Sequence, residues 1–505
     1  MTGTVPAPAV RPQTSATSPA PGSAKTFLGH PRALATLFMT EMWERFSFYG
    51  MRALLVLYLV APTSQGGLGF DMATATSIYS IYNAMVYLLA LPGGWLGDRM
   101  WGARRAVGIG GAVMLLGHLL LVLPGTAAFF VGLAGIAVGS GTLKANVSTM
   151  VGHLYDGPQD PRRDGGFTIF YMGINLGAFA APLLVGWIAQ HAGWRMGFAV
   201  AAAGIALGLV QYVAGRRHLA PASSRVHAPL TPAERRTVLR RGLMWLGVAV
   251  LFYGIVAASG SLSAGWFTWP LTVLGLVVPA LYLGRIRRDP DLTPAERSKM
   301  TAYIAIFAAA AVFWMIYDQT GSTLNLFATD HTDNTVFGWS FPATWFQSLN
   351  PVYIMALAPL VAVLWRRLGR REPGTMTKFA YGLVGVGASF VVMMLAQAAA
   401  ADARVTPLWL AAVYLIQTVA ELCLSPVGIS VTTKLAPAKY GSQMVGLWFL
   451  SVTAGDCVAA LTQQIAGSAT GSSTYFAMQG AMAIGAGVAV WVFRKRIQAG
   501  MGQVR

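Results

Sequence analysis

The sequence predicts an all-α polytopic membrane protein: two six-helix bundles with an inserted helix pair between them, fourteen transmembrane helices in all. Three observations lead there. Of 505 residues, 55% are hydrophobic and 11% charged, with a mean hydropathy of +0.56, whereas roughly a quarter of residues are charged in water-soluble chains. Apolar runs long enough to cross a hydrocarbon core as helices recur along most of the chain. Basic residues crowd into every second loop, which by the positive-inside rule places both termini in the cytoplasm.

In chain order, residues 1–30 are rich in Pro, Ala, Ser and Thr and read as a disordered cytoplasmic tail. Residues 31–215 form the first bundle, with spans near 33–60, 74–96, 106–123, 127–152, 166–188 and 196–214. Residues 216–300 are basic linkers carrying two extra spans, 242–258 and 266–284. Residues 301–495 form the second bundle, with spans near 302–327, 343–365, 377–400, 406–431, 442–467 and 474–493, and 496–505 form a cytoplasmic tail. The first apolar run is too long for a cleavable signal peptide. A net charge of +18 would suggest nucleic acid in a soluble protein, but its distribution over alternate loops accounts for it without such a partner. Cys423 and Cys457 lie inside spans, so neither a disulfide framework nor a metal spacing is implied. No lysine follows a glycine, so no Walker A loop for nucleotide exists, and coupling to an ion gradient remains.

Intramembrane charges mark the functional region, because such residues are costly to bury and face the bundle interior or a cavity. Glu41, Glu44, Arg45, Tyr49 (or Phe48) and Arg52 fall on one helical face of the first span. Lys144 lies mid-span in "AVGSGTLKANVSTMVG", where Gly135 and Gly139 permit close helix contact. Asp318 lies in the first span of the second half and Glu421 in its fourth, matching the positions of the stripe and Lys144 in the first half. Pro426, one turn beyond Glu421, offers a helix break. Three cations (Arg45, Arg52, Lys144) thus meet four carboxylates (Glu41, Glu44, Asp318, Glu421), and a carboxylate in excess of its cations is the kind of group that takes up a proton. Asp456 would enlarge the excess, but is read as a hydrogen-bonded packing residue. Positive charge from one half and negative from the other suits a zwitterion. Tyr87, Trp314 and Trp448 are nearby aromatics, and Asn175 and Asn350 are mid-span amides.

In these residues and the motifs around them, the chain resembles the proton-dependent oligopeptide transporters of the major facilitator superfamily, bacterial type. "EMWERFSFYG" (41–50) is similar to the ExxERFxYYG signature of the first helix, and "FYMGINLGAF" (170–179) to the FYxxINxGS pattern of the fifth. "GGWLGDRMWGARR" (93–105) resembles the superfamily's loop between helices two and three, and "FWMIYDQTGSTLNLFA" (313–328) the family's seventh helix. The resemblance implies a major facilitator fold and symport of di- and tripeptides with protons by alternating access, in the bacterial inner (cytoplasmic) membrane, by a monomer without a cofactor. It implies that Arg45, Arg52 and Lys144 engage the peptide carboxylate, and that Glu421, with Asn175 and Asn350, meets the amine. Tyr49, Tyr87, Trp314, Trp448 and Ser451 would line the pocket. Arg52 with Asp318, and Lys144 with Glu421, would be gating salt bridges; Glu41, Glu44, Arg45, Asp318 and Glu421 would couple protons. Phe48 stands where the signature has a tyrosine, Ala178 where it has a serine, and Asp318 is one methylene shorter than the glutamate of many bacterial relatives.

Two other readings have less behind them. A drug or sugar carrier of the same superfamily would not need the stripe together with Lys144 and Glu421. A membrane enzyme acting on lipid-linked substrates would need a catalytic His, metal or acid pair at a membrane face, whereas His118 and His153 stand alone in the sequence.

Overall fold

The computed structural model describes residues 26–156, 160–226, 228–260 and 263–502. Among them are sixteen α-helices: α1 (Ala33–Val60), α2 (Met72–Leu88), α3 (Ala90–Leu96), α4 (Ala103–Val122), α5 (Thr126–Gly152), α6 (Arg163–Ala192), α7 (Trp194–Gly215), α8 (Pro232–Ala258), α9 (Gly265–Arg287), α10 (Pro294–Tyr317), α11 (Thr323–Asp330), α12 (Leu349–Leu368), α13 (Thr375–Ala399), α14 (Leu408–Leu435), α15 (Gly441–Ala466) and α16 (Ser473–Gly500). The pairs α2–α3 and α10–α11 each complete a single span, so the sixteen helices make fourteen spans. Twelve of these are long and apolar enough to cross a membrane. The other two are α1, which carries the charged stripe, and the interrupted α2–α3.

Helices α1 to α7 pack as one half and α10 to α16 as the other. Within the first half, glycine sets the closest approach. A Cβ at Gly139 of α5 would lie 2.5 Å from the Met114 backbone nitrogen and 2.6 Å from the Gly110 carbonyl oxygen of α4. Gly139→Val is therefore expected to force α4 and α5 apart at a cost of about 1–3 kcal/mol, seen as a lower melting temperature of the detergent-purified protein.

The halves meet mainly where α2 crosses α15. They are laced together in the part of the molecule away from the termini: Ser77 Oγ donates to the Ala460 carbonyl at 3.2 Å, Asn325 Nδ2 to that of Ala53 at 2.9 Å, and Ser348 Oγ to that of Phe179 at 2.8 Å. Helix α9 lies against both α15 and α2. Helix α8 buries almost nothing and exposes Leu243, Met244, Trp245, Leu246 and Leu251.

Several boundaries differ from the sequence expectation. The disordered tail drawn over 1–30 lies outside the described residues up to 25, but Thr26–Phe27 (β1) pairs with His30–Pro31 (β2) in a short hairpin turned by Leu28 and Gly29 at positive φ. The inserted pair starts at Pro232 rather than 242. Thr231 and Glu234 form a capping box with Pro232 in the first turn, so Arg235, Arg236, Arg240 and Arg241 are helical. The same box, Thr293 with Glu296, starts α10 at Pro294. Helix α16 runs to Gly500, through the first half of the expected tail. Pro426 does not break its helix: α14 is continuous across it. The break comes instead after Tyr317, where Asp318–Gly321 forms one 3-10 turn before α11.

The linker after α9 is anchored to the loop between α14 and α15. Lys439 Nζ donates to Asp289 Oδ2 at 2.8 Å and to Asp291 Oδ2 at 2.7 Å, and Tyr440 Oη also donates to Asp289. The Lys439 hydrogen bond, reinforced by Tyr440, holds the Asp289 carboxyl well below the usual carboxylate range.

Candidate functional site

The stripe on α1 is buried as a unit. Arg45 Nε lies 2.9 Å from Glu41 Oε1 and 2.7 Å from Glu44 Oε2, with all three residues at most 2% exposed. The i,i+4 spacing brings Glu41 onto Arg45, and Ser140 of α5 completes the group by donating to Glu44 Oε1 at 2.6 Å. Phe48 has no pocket position: it is 1% exposed, stacked on Tyr82 at 6.4 Å, with the Arg45 guanidinium 5.5 Å over its ring.

Two turns further along α1, Arg52 Nη2 donates to Asp318 Oδ1 at 2.9 Å and to the Asp318 carbonyl at 3.3 Å. Arg52 thus takes two acceptors from Asp318, its carboxylate and its backbone carbonyl, at the start of the 3-10 turn. Arg52 Nε donates to the Tyr79 hydroxyl. Tyr79 sits against Gly321, where a Cβ would overlap its ring. Asp318, despite its shorter side chain, thus reaches Arg52 across the two halves.

Lys144 and Glu421 are not brought together. Lys144 Nζ lies over the Tyr87 ring at 3.9 Å and within 5.7 Å of the Phe449 ring, and is in no ion pair among the described residues. Glu421 instead accepts at Oε2 from Tyr317 Oη at 2.6 Å and from Asn350 Nδ2 at 3.1 Å. Both Lys144 and Glu421 are half-buried, as are Tyr49, Tyr87, Trp314, Tyr317 and Asn350. Tyr49 stands within electrostatic reach of Arg45, Arg52, Asp318 and Glu421. The site thus offers a cation that is in no ion pair among the described residues from the first half, and a hydrogen-bonded carboxylate from the second.

The remaining expected site residues are placed as follows. Asn175 does not reach Glu421; its amide donates to the Tyr171 carbonyl of its own helix at 3.0 Å. Ser451 is fully buried and donates to the Trp448 carbonyl at 2.6 Å, which takes its hydroxyl out of the site. Trp448, 2% exposed, packs on Gly428 and edge-on against Phe379 at 6.4 Å. Trp314 meets Tyr317 edge-on at 5.4 Å, and its indole nitrogen is buried without a partner. Sequence reasoning assigned no role to Ser140 or Asn83, or to the hydroxyls of Tyr79 and Tyr317. The two tyrosines were visible as intramembrane aromatics, whereas nothing in the sequence distinguishes Ser140 or Asn83 from packing residues. No cluster of His, Cys, Asp or Glu that could hold a metal is found among the described residues.

The family model described as the POT family matches residues 104–478. The di-/tripeptide transporter of Lactococcus lactis subsp. cremoris is 40% identical over 491 residues, covering 95% of this chain and 98% of its own. The crystal structure of a peptide transporter POT in complex with sulfate superposes with a TM-score of 0.91 at 43% identity, covering 95% of this chain and 97% of that one. That of a POT family transporter in complex with 5-aminolevulinic acid gives 0.90 at 34% identity, with 94% and 98% covered. A match over most of the chain, together with relatives of this identity in both sequence and structure, assigns it: this multi-pass membrane protein belongs to the POT family.

Proposed function

We propose that the chain is a proton-coupled symporter that imports di- and tripeptides across the bacterial cytoplasmic membrane by alternating access, as a monomer with both termini cytoplasmic. One observation carries the reading: Lys144 of the first half and Glu421 of the second are half-buried and form no ion pair with each other, with half-buried Tyr87 beside the first and half-buried Asn350 beside the second. A short peptide is a zwitterion of matching polarity. Its carboxylate takes Lys144, with Arg45 and Arg52 adding field, and its amine takes Glu421. The names of the relatives, a di-/tripeptide transporter among them, support the same cargo.

Transport follows from partner exchange. A proton neutralises a carboxylate of the stripe or of the Arg52–Asp318 pair and releases the cation it held. The peptide termini then satisfy the freed charges, and the halves rock. A peptide drives this only to the extent that it binds the two states unequally.

Labelled dialanine in proteoliposomes under an inward proton gradient tests the proposal. Concentrative uptake that an uncoupler abolishes is expected. Uptake that is indifferent to the uncoupler, or absent while a sugar or drug is carried, would refute it.

A further inference from the structure

Asp456 of α15 is 1% exposed and has no part in the mechanism above. It sits where α15 meets α10 at backbone contact: a Cβ on the preceding Gly455 would lie 2.5 Å from the Ala311 carbonyl oxygen and 2.8 Å from the Met315 nitrogen. Asn83 of α2 donates from Nδ2 to Asp456 Oδ2 at 2.8 Å. The Asp456 carboxyl is also within hydrogen-bonding reach of the Asp318 carboxyl.

The four carboxyl oxygens divide unevenly. Arg52 supplies Asp318 Oδ1 and Asn83 supplies Asp456 Oδ2. Asp318 Oδ2 and Asp456 Oδ1 are buried and have no donor. The other charged or titratable groups within reach of the pair are Tyr79 of α2, which accepts from Arg52; Lys144 of α5, Glu421 of α14 and the tyrosines Tyr49, Tyr87 and Tyr317, which act on Asp318 from a distance; and Cys457, whose sulfur lies against Gly275 of α9. One guanidinium therefore faces two carboxyls. Two buried carboxylates side by side cannot both stay ionised, and an acceptor left without a donor in a dry site is penalised. A single proton between them makes one O–H···O bond, supplies both orphaned oxygens and leaves one negative charge opposite Arg52.

We propose that Asp456 and Asp318 form a proton-sharing carboxyl pair, so that Asp456 is a proton-coupling residue and not a packing residue. The inference rests on the reading of the chain as a proton-driven carrier. Both carboxyls belong to the second half, whereas Arg52 and Asn83 belong to the first. When the halves part here, the pair loses its cation and its amide donor in one movement, and it then takes a second proton from water. When they close, Arg52 returns and displaces one proton.

Asp456→Asn copies the shape of the singly protonated pair, because its amide can donate to Asp318, but it carries no exchangeable acid. In proteoliposomes, gradient-driven uptake of labelled dialanine by this variant is expected to fall about tenfold more than counterflow with dialanine on both sides, a step that needs no net proton movement. Half-maximal uptake should move toward lower pH by about one unit, the scale on which a neighbouring carboxylate acts. Asp456→Glu restores the acid and should recover most of the driven uptake. Driven uptake by Asp456→Asn with the parent's pH profile would overturn the proposal. So would equal loss of driven uptake and counterflow with no recovery in Asp456→Glu, since that marks a structural role. A parent that shows no gradient-driven uptake overturns the carrier reading itself.

Discussion

Lys144→Ala binds dialanine at least about 30-fold more weakly than the parent, because truncating one partner of a desolvated charge pair costs about 2–5 kcal/mol. Among the described residues, the ammonium is in no ion pair and lies over the Tyr87 and Phe449 rings. A cation–π contact of this kind is worth about 0.5–2 kcal/mol, too little to compensate a buried charge. The peptide carboxylate is the partner that the site lacks. The same reasoning separates binding from stability. Removing an uncompensated cation orphans no carboxylate, so Lys144→Ala should melt no lower than the parent. Calorimetric titration with dialanine, alongside a thermal melt, checks both halves of the expectation.

Arg45→Met has the opposite signature. Arg45 is the common partner of Glu41 and Glu44, both buried, and Glu41 Oε2 already lacks a donor. Deleting a partner from a buried ion pair costs about 3–5 kcal/mol, because uncompensated charge stays behind. The single substitution should give the largest fall in melting temperature of any in the stripe and should abolish transport. Adding Glu41→Gln and Glu44→Gln removes the stranded charge, so the triple variant should melt higher than Arg45→Met while remaining unable to use a proton gradient. If Arg45→Met melted with the parent, the stripe would not be held together electrostatically.

What the sequence revealed and what it concealed divide along a physical line. The fourteen spans were legible because the membrane demands long apolar helices, and the stripe because charge inside them is rare. α1 begins and ends where the apolar run does, at Ala33 and Val60. Pro426 misled, since a transmembrane helix tolerates proline where its neighbours resatisfy the freed backbone groups. The break that does form, at Asp318–Gly321, contains no proline. It is held locally, where Gln319 Nε2 donates to the Met315 carbonyl at 2.9 Å, and by tertiary partners, where Tyr475 Oη donates to Gln319 Oε1 at 2.9 Å and Tyr79 closes over Gly321. Periodicity cannot register partners brought from α2 and α16. Asn175 and Ser451 show the same limit at the site, because a mid-span polar residue can satisfy itself on its own helix as readily as it can face a ligand. The long starts of α8 and α10 were written in the Thr-Pro-Ala-Glu sequence that begins each, but basic residues beyond it suggested loops.

The central claim is that opposed charges from the two halves each hold one end of the cargo. A ligand and protein cycle tests it most directly: dialanine, its N-acetyl form and its C-amide form are titrated against the parent, Lys144→Ala and Glu421→Gln. The account predicts crosswise coupling, in which amidation weakens binding to the parent and to Glu421→Gln but not to Lys144→Ala, and acetylation weakens binding to the parent and to Lys144→Ala but not to Glu421→Gln. Simple addition of every loss in every combination would contradict it.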